Sequence, residues 1–186
     1  MRFEEKTVSL KDGRSCLLRS PGPEDAAGML AHLQITAGET DFLTRYPEEI
    51  LMTEAEEEAF LQKVLDHPRQ VMMIGVVNGA IAAGASVFAV SERMKLRHRA
   101  VFGIAIVKEY WHLGLGQLMT AECIRLAREM GFEQLELQVL SGNTRARRMY
   151  DQAGFEAWGS VKNGFKLRDG SYQDDVLMGL FLKNAI

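Results

Sequence analysis

Cysteine, proline and long apolar runs are all scarce in this sequence of 186 residues, which has two cysteines and four prolines. The cysteines, Cys16 and Cys123, lie far apart and in no metal-ligand spacing, so the sequence predicts neither a disulfide framework nor a metal site. No apolar run approaches the length that spans a bilayer, and the first twenty residues lack the apolar core of a secretion signal. We therefore expect a cytoplasmic protein with reduced thiols and no membrane contact.

Charge of one sign is not in large excess either. The chain has 22 basic and 25 acidic residues, and a net charge of −3 predicts no nucleic-acid partner and no anionic membrane surface. A content of 47% hydrophobic and 25% charged residues is typical of a globular protein. No linker or repeat divides the chain, so we expect one domain over residues 1–186.

The hydrophobic pattern predicts both strands and helices. In the first half, strands are predicted over 15–19, 71–77, 81–90 and 100–107, and helices over 23–32 and 53–67. In the second half, helices are predicted over 116–130 and 144–153, and strands over 135–140, 155–166 and 176–182. Asn78-Gly79 predicts a tight hairpin, and Thr53 with Glu56 predicts a capping box. An antiparallel meander that continues into a βαβ unit implies one mixed sheet flanked by helices.

A glycine loop, defined here as residues 107–116, joins a predicted strand to a predicted helix. Gly114 and Gly116 let the backbone turn tightly and approach a ligand closely. The unpaired N–H groups of the first helical turn, together with the positive end of the helix dipole, bind anions and phosphates above all. The loop therefore predicts a phosphate site, although a tight turn without a ligand also explains the two glycines.

A dinucleotide-binding fingerprint is an alternative interpretation of the same loop. Gly114-Leu115-Gly116 is followed by a helix, a strand and an acidic residue, Glu136, as in that fingerprint. However, Met119 stands where the third glycine allows close helix–strand packing, and the βαβ unit occurs only once. The sequence therefore still predicts binding of an adenine-containing pyrophosphate, but it argues against hydride transfer.

A second motif follows the next predicted strand. Asn143 lies at a helix start, where its amide either caps the helix or bonds a ligand amide, and the sequence leaves both roles open. Tyr150 comes seven residues later, about two helical turns, so both side chains lie on the same side of the helix.

The sequence resembles a known family at these two motifs. Residues 106–116 resemble the coenzyme A loop of the GNAT superfamily of N-acyltransferases, and 143–155, with Asn143, Ala146 and Tyr150, is similar to the next conserved segment of that superfamily. The order of strands and helices also matches over nearly the whole chain. The resemblance implies a single-domain, mixed α/β GNAT-type fold with a central, mostly antiparallel sheet of about seven strands. It also implies an N-acetyltransferase that uses acetyl-CoA without a metal.

The resemblance assigns roles to particular residues. It implies that backbone N–H groups of the glycine loop cradle the pyrophosphate of coenzyme A, in the run Trp111, His112, Leu113, Gly114, Leu115 and Gly116. It implies that Ile104 and Ile106 lie beside the pantetheine arm and that Asn143 bonds it. It further implies that the N–H of Val107 stabilises the oxyanion. Tyr150 would protonate the leaving thiolate, which suits a phenol with a pKa of about 10.

Two positions depart from the family pattern. Trp111 occupies a place usually held by arginine or glutamine, and His112 occupies one often held by glycine. Neither change removes a backbone N–H group, so we still expect coenzyme A to bind.

A basic cluster, Arg145, Arg147 and Arg148, follows Asn143. One interpretation is a solvated helix face. The other is that Arg145 or Arg148 pairs with the 3′-phosphate of coenzyme A, because a guanidinium group suits phosphate geometry.

The acceptor side of the site is less defined by the sequence. In the GNAT fold the loop after the first helix overhangs the acceptor, which makes Glu39, Phe42 and Arg45 candidate substrate contacts. The candidate general bases are Glu39, Asp41, Glu109 and His112, each of which is equally explained as a solvated or capping side chain.

The sequence leaves the acceptor and the assembly open. A small-molecule amine or a peptide amine both fit, and the slight negative charge favours a cationic acceptor. We expect direct acetyl transfer without a covalent intermediate, although Cys123 lies on the helix after the glycine loop. The alternative is a non-catalytic acyl-CoA-binding sensor. Exposed sheet edges are compatible with a homodimer.

Overall fold

One eight-stranded sheet organises the chain in the computed structural model, which describes residues 1–182. The strands are β1 (Lys6–Ser9), β2 (Ser15–Arg19), β3 (Gln70–Val77), β4 (Ala80–Ala89), β5 (Arg99–Ile106), β6 (Gln134–Leu140), β7 (Glu156–Lys166) and β8 (Tyr172–Phe181). The helices are α1 (Ala26–Glu39), α2 (Glu54–Asp66), α3 (Leu115–Glu129) and α4 (Thr144–Gln152). The spatial order is β1-β2-β3-β4-β5-β6-β8-β7, and only the β5–β6 pair is parallel. The predicted mixed α/β, mostly antiparallel fold is confirmed.

Local sequence signals explain how several elements begin and turn. The Thr53 hydroxyl accepts a hydrogen bond from the Glu56 N–H, and the Glu56 carboxylate accepts one from the Thr53 N–H, which confirms the predicted capping box. Asn78 and Gly79 have φ angles of 50° and 81°, and they connect β3 to β4. These left-handed conformations suit a tight hairpin turn and confirm that prediction.

One predicted boundary was wrong, and one strand was missed. β1 was missed because its short segment is largely exposed and pairs only with β2 at the sheet edge, so it lacks an apolar pattern. α1 was predicted to end at His32 but continues to Glu39, and the Thr36 hydroxyl donates back to the His32 carbonyl within it. The sheet therefore has eight strands instead of seven.

The helices cover opposite faces of the sheet. Ile74 of β3 packs with Met29 of α1 and Leu61 of α2, whereas its neighbour Met73 belongs to the larger core that contains Met119 of α3. Successive side chains of a strand point to opposite faces. Helices α1 and α2 therefore lie on one face, and α3 and α4 lie on the other.

Strands β5 and β6 are paired only at their beginnings. The pairs are Arg99 with Gln134, Ala100 with Leu135 and Val101 with Glu136, and the rest of the two strands separates. At the closed end the Arg99 guanidinium bonds both carboxylate oxygens of Glu136, at 3.0 and 2.7 Å. The Glu136 side chain is only 7% exposed, so this ion pair holds the two strands together from within the protein.

Both cysteines are free and buried. Burial raises the pKa of Cys16 to about 11 and that of Cys123 to about 12, so neither thiol supplies a thiolate near neutral pH. Within residues 1–182, no helix is both long and apolar enough to cross a bilayer.

We expect Arg99→Met to lower the free energy of unfolding by about 3 kcal/mol, because it leaves the Glu136 carboxylate buried without its partner. Urea denaturation would measure this loss. The double variant Arg99→Met/Glu136→Leu should regain most of it. Glu129→Gln is a matched control, since its ion pair with Arg125 is exposed and should contribute under about 0.5 kcal/mol. Equal losses for Arg99→Met and Glu129→Gln would contradict the expectation.

Candidate active site

A cleft of about 730 Å³ opens where β5 and β6 separate. Predicted site residues in its wall are Phe42, Arg45, Ile104, Ile106, Trp111, His112, Gly114, Leu115, Gly116, Asn143, Arg145, Arg148 and Tyr150. Three other predicted residues, Glu39, Val107 and Leu113, lie outside the wall. The two motifs and the strand before them therefore meet at one place.

The free edge of β5 offers backbone groups to the cleft. The Val107 N–H donates to the Ala82 carbonyl at 3.0 Å, which places Val107 in hydrogen-bonded register with β4. Hydrogen bonds alternate along an antiparallel pair, so the N–H groups of Ile104 and Ile106 point away from β4. They point into the gap, where no β6 residue pairs with them.

The Val107 N–H is therefore not free for the oxyanion role predicted for it. It already donates to the Ala82 carbonyl, and giving up that hydrogen bond to hold an oxyanion would cost free energy. The free N–H groups beside it, on Ile104 and Ile106, are the donors that this strand can offer.

The glycine loop presents a row of free N–H groups at the other end of the cleft. Within the described part of the chain, the backbone N–H groups of residues 112–117 have no hydrogen-bond partner, and no side chain caps α3. Gly114 has a φ angle of 87° and His112 one of 66°. Both are left-handed, which explains why glycine suits position 112 and shows that histidine is accommodated there with some strain.

Gly116 allows close packing at the start of α3. A Cβ atom at this position would lie 2.9 Å from the sulfur of Met149 and 3.2 Å from Cδ1 of Ile106. The absence of a side chain therefore lets the start of α3 approach both α4 and β5, and it holds the loop against the open edge.

Trp111 fixes the loop to β5. Its indole N–H donates to the Ile106 carbonyl at 2.7 Å, and the guanidinium carbon of Arg145 lies 3.7 Å from its ring centroid. A guanidinium nitrogen of Arg145 also lies 3.4 Å from Nε2 of His112. The two departures from the family pattern thus form one cluster with Arg145, which places a cation beside the free N–H groups.

The β1–β2 turn is a part of the site that the sequence reasoning missed. The N–H of Lys11 donates to the Leu113 carbonyl at 3.1 Å, and its side chain lines the cleft beside Gly114. Arg14 donates to the Glu109 carboxylate at 2.7 Å. Glu109, a predicted general base, is therefore engaged in an ion pair and lies outside the cleft wall. No local signal indicates these contacts, because β1 itself lacks an apolar pattern.

Asn143 caps α4, which is one of the two roles that the sequence left open for it. Its side-chain oxygen accepts the Ala146 N–H at 3.2 Å, and the residue lines the cleft. The cap uses only the oxygen, so the side-chain NH₂ group is left to donate into the cleft.

Tyr150 lies on the α3 and α4 face of the gap. Its side chain is 7% exposed and packs edge-on against Phe102, with ring centroids 6.1 Å apart, and against Phe155 at 5.9 Å. Burial raises the pKa of Tyr150 to about 12. The phenol is therefore protonated at neutral pH and suited to donate a proton.

Glu39, a predicted substrate contact, lies outside the cleft wall. Because α1 continues to this residue, its carboxylate accepts the Lys108 N–H, just after β5, at 2.6 Å. A contact of Glu39 with the substrate stays a prediction. Asp41 is also absent from the wall. Among the cleft-lining residues of the described chain there is no aspartate or glutamate, so no carboxylate predicted as a base lies in the cleft.

A contact between distant segments joins the β7–β8 hairpin to the segment between α1 and α2. The guanidinium carbon of Arg168, at the tip of the hairpin, lies 4.0 Å from the Tyr46 ring centroid, and the backbone N–H of Arg168 donates to the Tyr46 hydroxyl at 3.0 Å. Arg168 also pairs with Glu48. Tyr46 and Glu48 belong to the α1–α2 connection (residues 40–53), which also supplies Phe42 and Arg45.

Comparisons with known proteins agree with this geometry. The family model described as the acetyltransferase (GNAT) family matches residues 37–155. The acetyltransferase of the GNAT family from Streptococcus pneumoniae is 35% identical, with a TM-score of 0.85 over 89% of this chain and 99% of that one. A phosphinothricin acetyltransferase from Sinorhizobium meliloti, solved in complex with acetyl-CoA, shares the fold at 17% identity, with a TM-score of 0.77 over 89% of this chain and 88% of that one.

Two curated relatives are also similar. The L-amino acid N-acetyltransferase AaaT of Escherichia coli (strain K12) is 26% identical over 63% of this chain and 72% of its own length. The [ribosomal protein bS18]-alanine N-acetyltransferase of Haemophilus ducreyi is 28% identical over 51% of this chain and 65% of its own length. The family model, the fold and the cleft lead to one conclusion: this chain belongs to the GNAT family of acetyltransferases.

Proposed function

We propose that this N-acetyltransferase moves an acetyl group from acetyl-CoA directly to the α-amine of an amino acid or of an amino-terminal residue. The gap between β5 and β6 is the observation that carries the proposal. It has unpaired backbone N–H groups along one edge, a row of free N–H groups at one end and the protonated Tyr150 on one face. This arrangement suits a long, amide-rich thioester with a pyrophosphate.

The donor would lie along β5. Residues 112–117 would donate N–H bonds to the pyrophosphate, with Lys11 and Arg145 supplying positive charge. The free groups of Ile104 and the NH₂ group of Asn143 would bond the pantetheine amides. Arg148, also in the wall, is then the candidate for the 3′-phosphate.

The chemistry follows from two kinds of donor. The amine nitrogen attacks the thioester carbonyl, and a free N–H of Ile104 or Ile106 stabilises the developing oxyanion. The attacking nitrogen loses one proton, and collapse of the tetrahedral intermediate forms the amide and breaks the carbon–sulfur bond. Tyr150 donates its proton to the leaving thiolate, and no enzyme thiol takes part because both cysteines are buried.

The charge of the cleft bears on the acceptor. Its wall contains Lys11, Arg45, Arg145 and Arg148 and, within the described residues, no carboxylate. This disfavours polyamines and other polycations, which the overall charge of −3 had favoured. Arg45 shares the cleft wall with apolar side chains such as Phe42, a combination that suits an acceptor with its own carboxylate. The E. coli relative is named for L-amino acids, which carry such a carboxylate.

Location and assembly stay predictions. A cytoplasmic location and one domain over residues 1–186 follow from the sequence alone. A homodimer is compatible with the edge strands β1 and β7, which each pair on one side only.

Thiol release from acetyl-CoA tests the function. We expect release with one or more of the twenty L-amino acids or with a peptide that begins with alanine, and little with spermidine. Arg45→Gln should raise the KM of an amino acid about tenfold, because one charged hydrogen bond to its carboxylate is lost. The KM of an amidated amino acid, which has no carboxylate, should change far less. Tight acetyl-CoA binding without release for any amine would favour the sensor alternative.

Tyr150→Phe tests the proton donor. We expect kcat to fall about a hundredfold, since general acid catalysis contributes on the order of 10² or more, while the Kd of acetyl-CoA stays within about twofold. Tyr172→Phe is the matched control, because Tyr172 is exposed on β8 and outside the cleft. An unchanged kcat for Tyr150→Phe would exclude the phenol as the acid.

Variants of the glycine loop test the phosphate site. Gly114→Val should weaken acetyl-CoA binding at least tenfold, because a β-branched residue in a left-handed conformation costs about 1–2 kcal/mol or more and displaces the N–H row. His112→Gly should retain binding within about threefold, since it keeps every N–H and relieves strain. Isothermal titration with acetyl-CoA would measure both, and equal losses would contradict a backbone cradle.

A further inference from the structure

His32 of α1 is a buried imidazole that no interaction described so far uses. It is 2% exposed, and among the described residues neither ring nitrogen makes a hydrogen bond of good geometry, although the Ala105 backbone lies near enough to act on the pKa of the ring. A buried polar group without a well-formed partner is costly and rare in native proteins. A group of this kind in the wall of a cleft is a candidate for a role in the chemistry there.

The imidazole lines the acceptor side of the cleft. A Cβ atom on Gly84 would lie 3.5 Å from Cε1 and 3.9 Å from Nδ1 of His32, so the ring packs directly over this residue of β4. Gly84 pairs with Ala105 of β5, which lies between Ile104 and Ile106. The ring is therefore one strand away from the free backbone groups proposed to hold the thioester.

His32 and Tyr150 lie on opposite faces of the sheet. Gly84 and Ala105 face α1, since directly paired residues share a face. Phe102, three residues before Ala105, faces the other way and packs on Tyr150. The gap between β5 and β6 thus has one titratable group on each side.

The other base candidates are elsewhere. Glu39 bonds the Lys108 N–H, Glu109 pairs with Arg14, and Asp41 is outside the cleft wall. His112 lines the cleft but lies against Arg145 at the phosphate end. Of the described residues, His32 is the remaining imidazole or carboxylate in the wall, and it is on the acceptor side.

We propose that His32 accepts the proton of the attacking amine, directly or through one water, from the α1 face of the gap. This assignment rests on the proposed function. The amine nitrogen forms the new bond to the carbonyl carbon, and its proton moves to a ring nitrogen of His32. The carbon–sulfur bond breaks, and the Tyr150 proton moves to sulfur. The imidazolium then returns one proton through solvent to the Tyr150 phenolate.

The protonation state of His32 suits this role. Burial lowers the pKa of His32 to about 4, against a smaller opposing effect of the Ala105 backbone. The ring is therefore neutral above about pH 5, so a ring nitrogen has a lone pair for the proton, although burial also makes it a weaker base than a free imidazole. The charged residues in the cleft wall are all cations, namely Lys11, Arg45, Arg145 and Arg148. Any loss of activity between pH 8 and pH 6 should then follow the protonation of the acceptor amine.

Two variants separate catalysis from packing. We expect His32→Gln, which keeps a polar side chain of similar size, to lower kcat with the best L-amino acid of the panel about a hundredfold. The Kd of acetyl-CoA should stay within about twofold. His32→Ala should show a similar loss, and added imidazole should restore its rate at least tenfold with saturation. A side chain that only packs against Gly84 would give no such rescue.

Hydroxylamine serves as the second nucleophile, because it is unprotonated at neutral pH and depends less on a base. We expect His32→Gln to lose less than about fivefold with hydroxylamine, against a hundredfold with the amino acid. Equal losses with both nucleophiles and no rescue by imidazole would overturn the assignment while the proposed function stands. Wild-type protein that acetylates neither an amine nor hydroxylamine would overturn the proposed function, and this assignment with it.

Discussion

The short pairing between β5 and β6 is the constraint on which the rest of the site depends. Three residue pairs hold the strands together, and the buried pair of Arg99 with Glu136 closes the end. Beyond it, backbone donors and acceptors in the centre of a sheet have no strand to bond. An unpaired backbone group away from water is costly, so the gap favours a ligand that carries amides of its own. The fold therefore keeps a place for an extra strand that the chain does not supply.

The departures from the family pattern show how a backbone site tolerates side-chain change. His112 adopts a left-handed conformation that glycine would adopt more easily, yet its N–H has the same direction. Trp111 cannot replace the charge of an arginine, but it holds Arg145 from α4 over its ring at 3.7 Å. A cation reaches the same region from a different element. What the site requires is the path of the backbone and a positive potential, and several sets of side chains meet that requirement.

Sequence reasoning predicted the features that short segments determine. The Thr53 capping box, the Asn78-Gly79 turn and most strands follow from local chemistry, and the two GNAT motifs identified the family correctly. Contacts between distant segments could not be predicted in this way. Three such contacts are the bond of Glu39 to Lys108, the contact of Arg168 with Tyr46 and the packing of His32 over Gly84. They depend on how far α1 continues and on which segments the fold brings together. A buried histidine in a helix has no sequence signature that separates it from a packing residue.

The residues proposed to bind the donor and those proposed to bind the acceptor lie on different faces of the sheet. Everything proposed to hold the donor, from the glycine loop to α4, lies at or behind the gap on one side, whereas α1 and the α1–α2 connection border the other. The hydrogen bond between Arg168 and Tyr46 joins that connection to the tip of the β7–β8 hairpin and involves no residue of the donor side. Insertions or substitutions in the connection can therefore change the size and charge of the accepted amine without disturbing the handling of the thioester. Such a division allows one donor-binding half to serve many acceptors across related proteins.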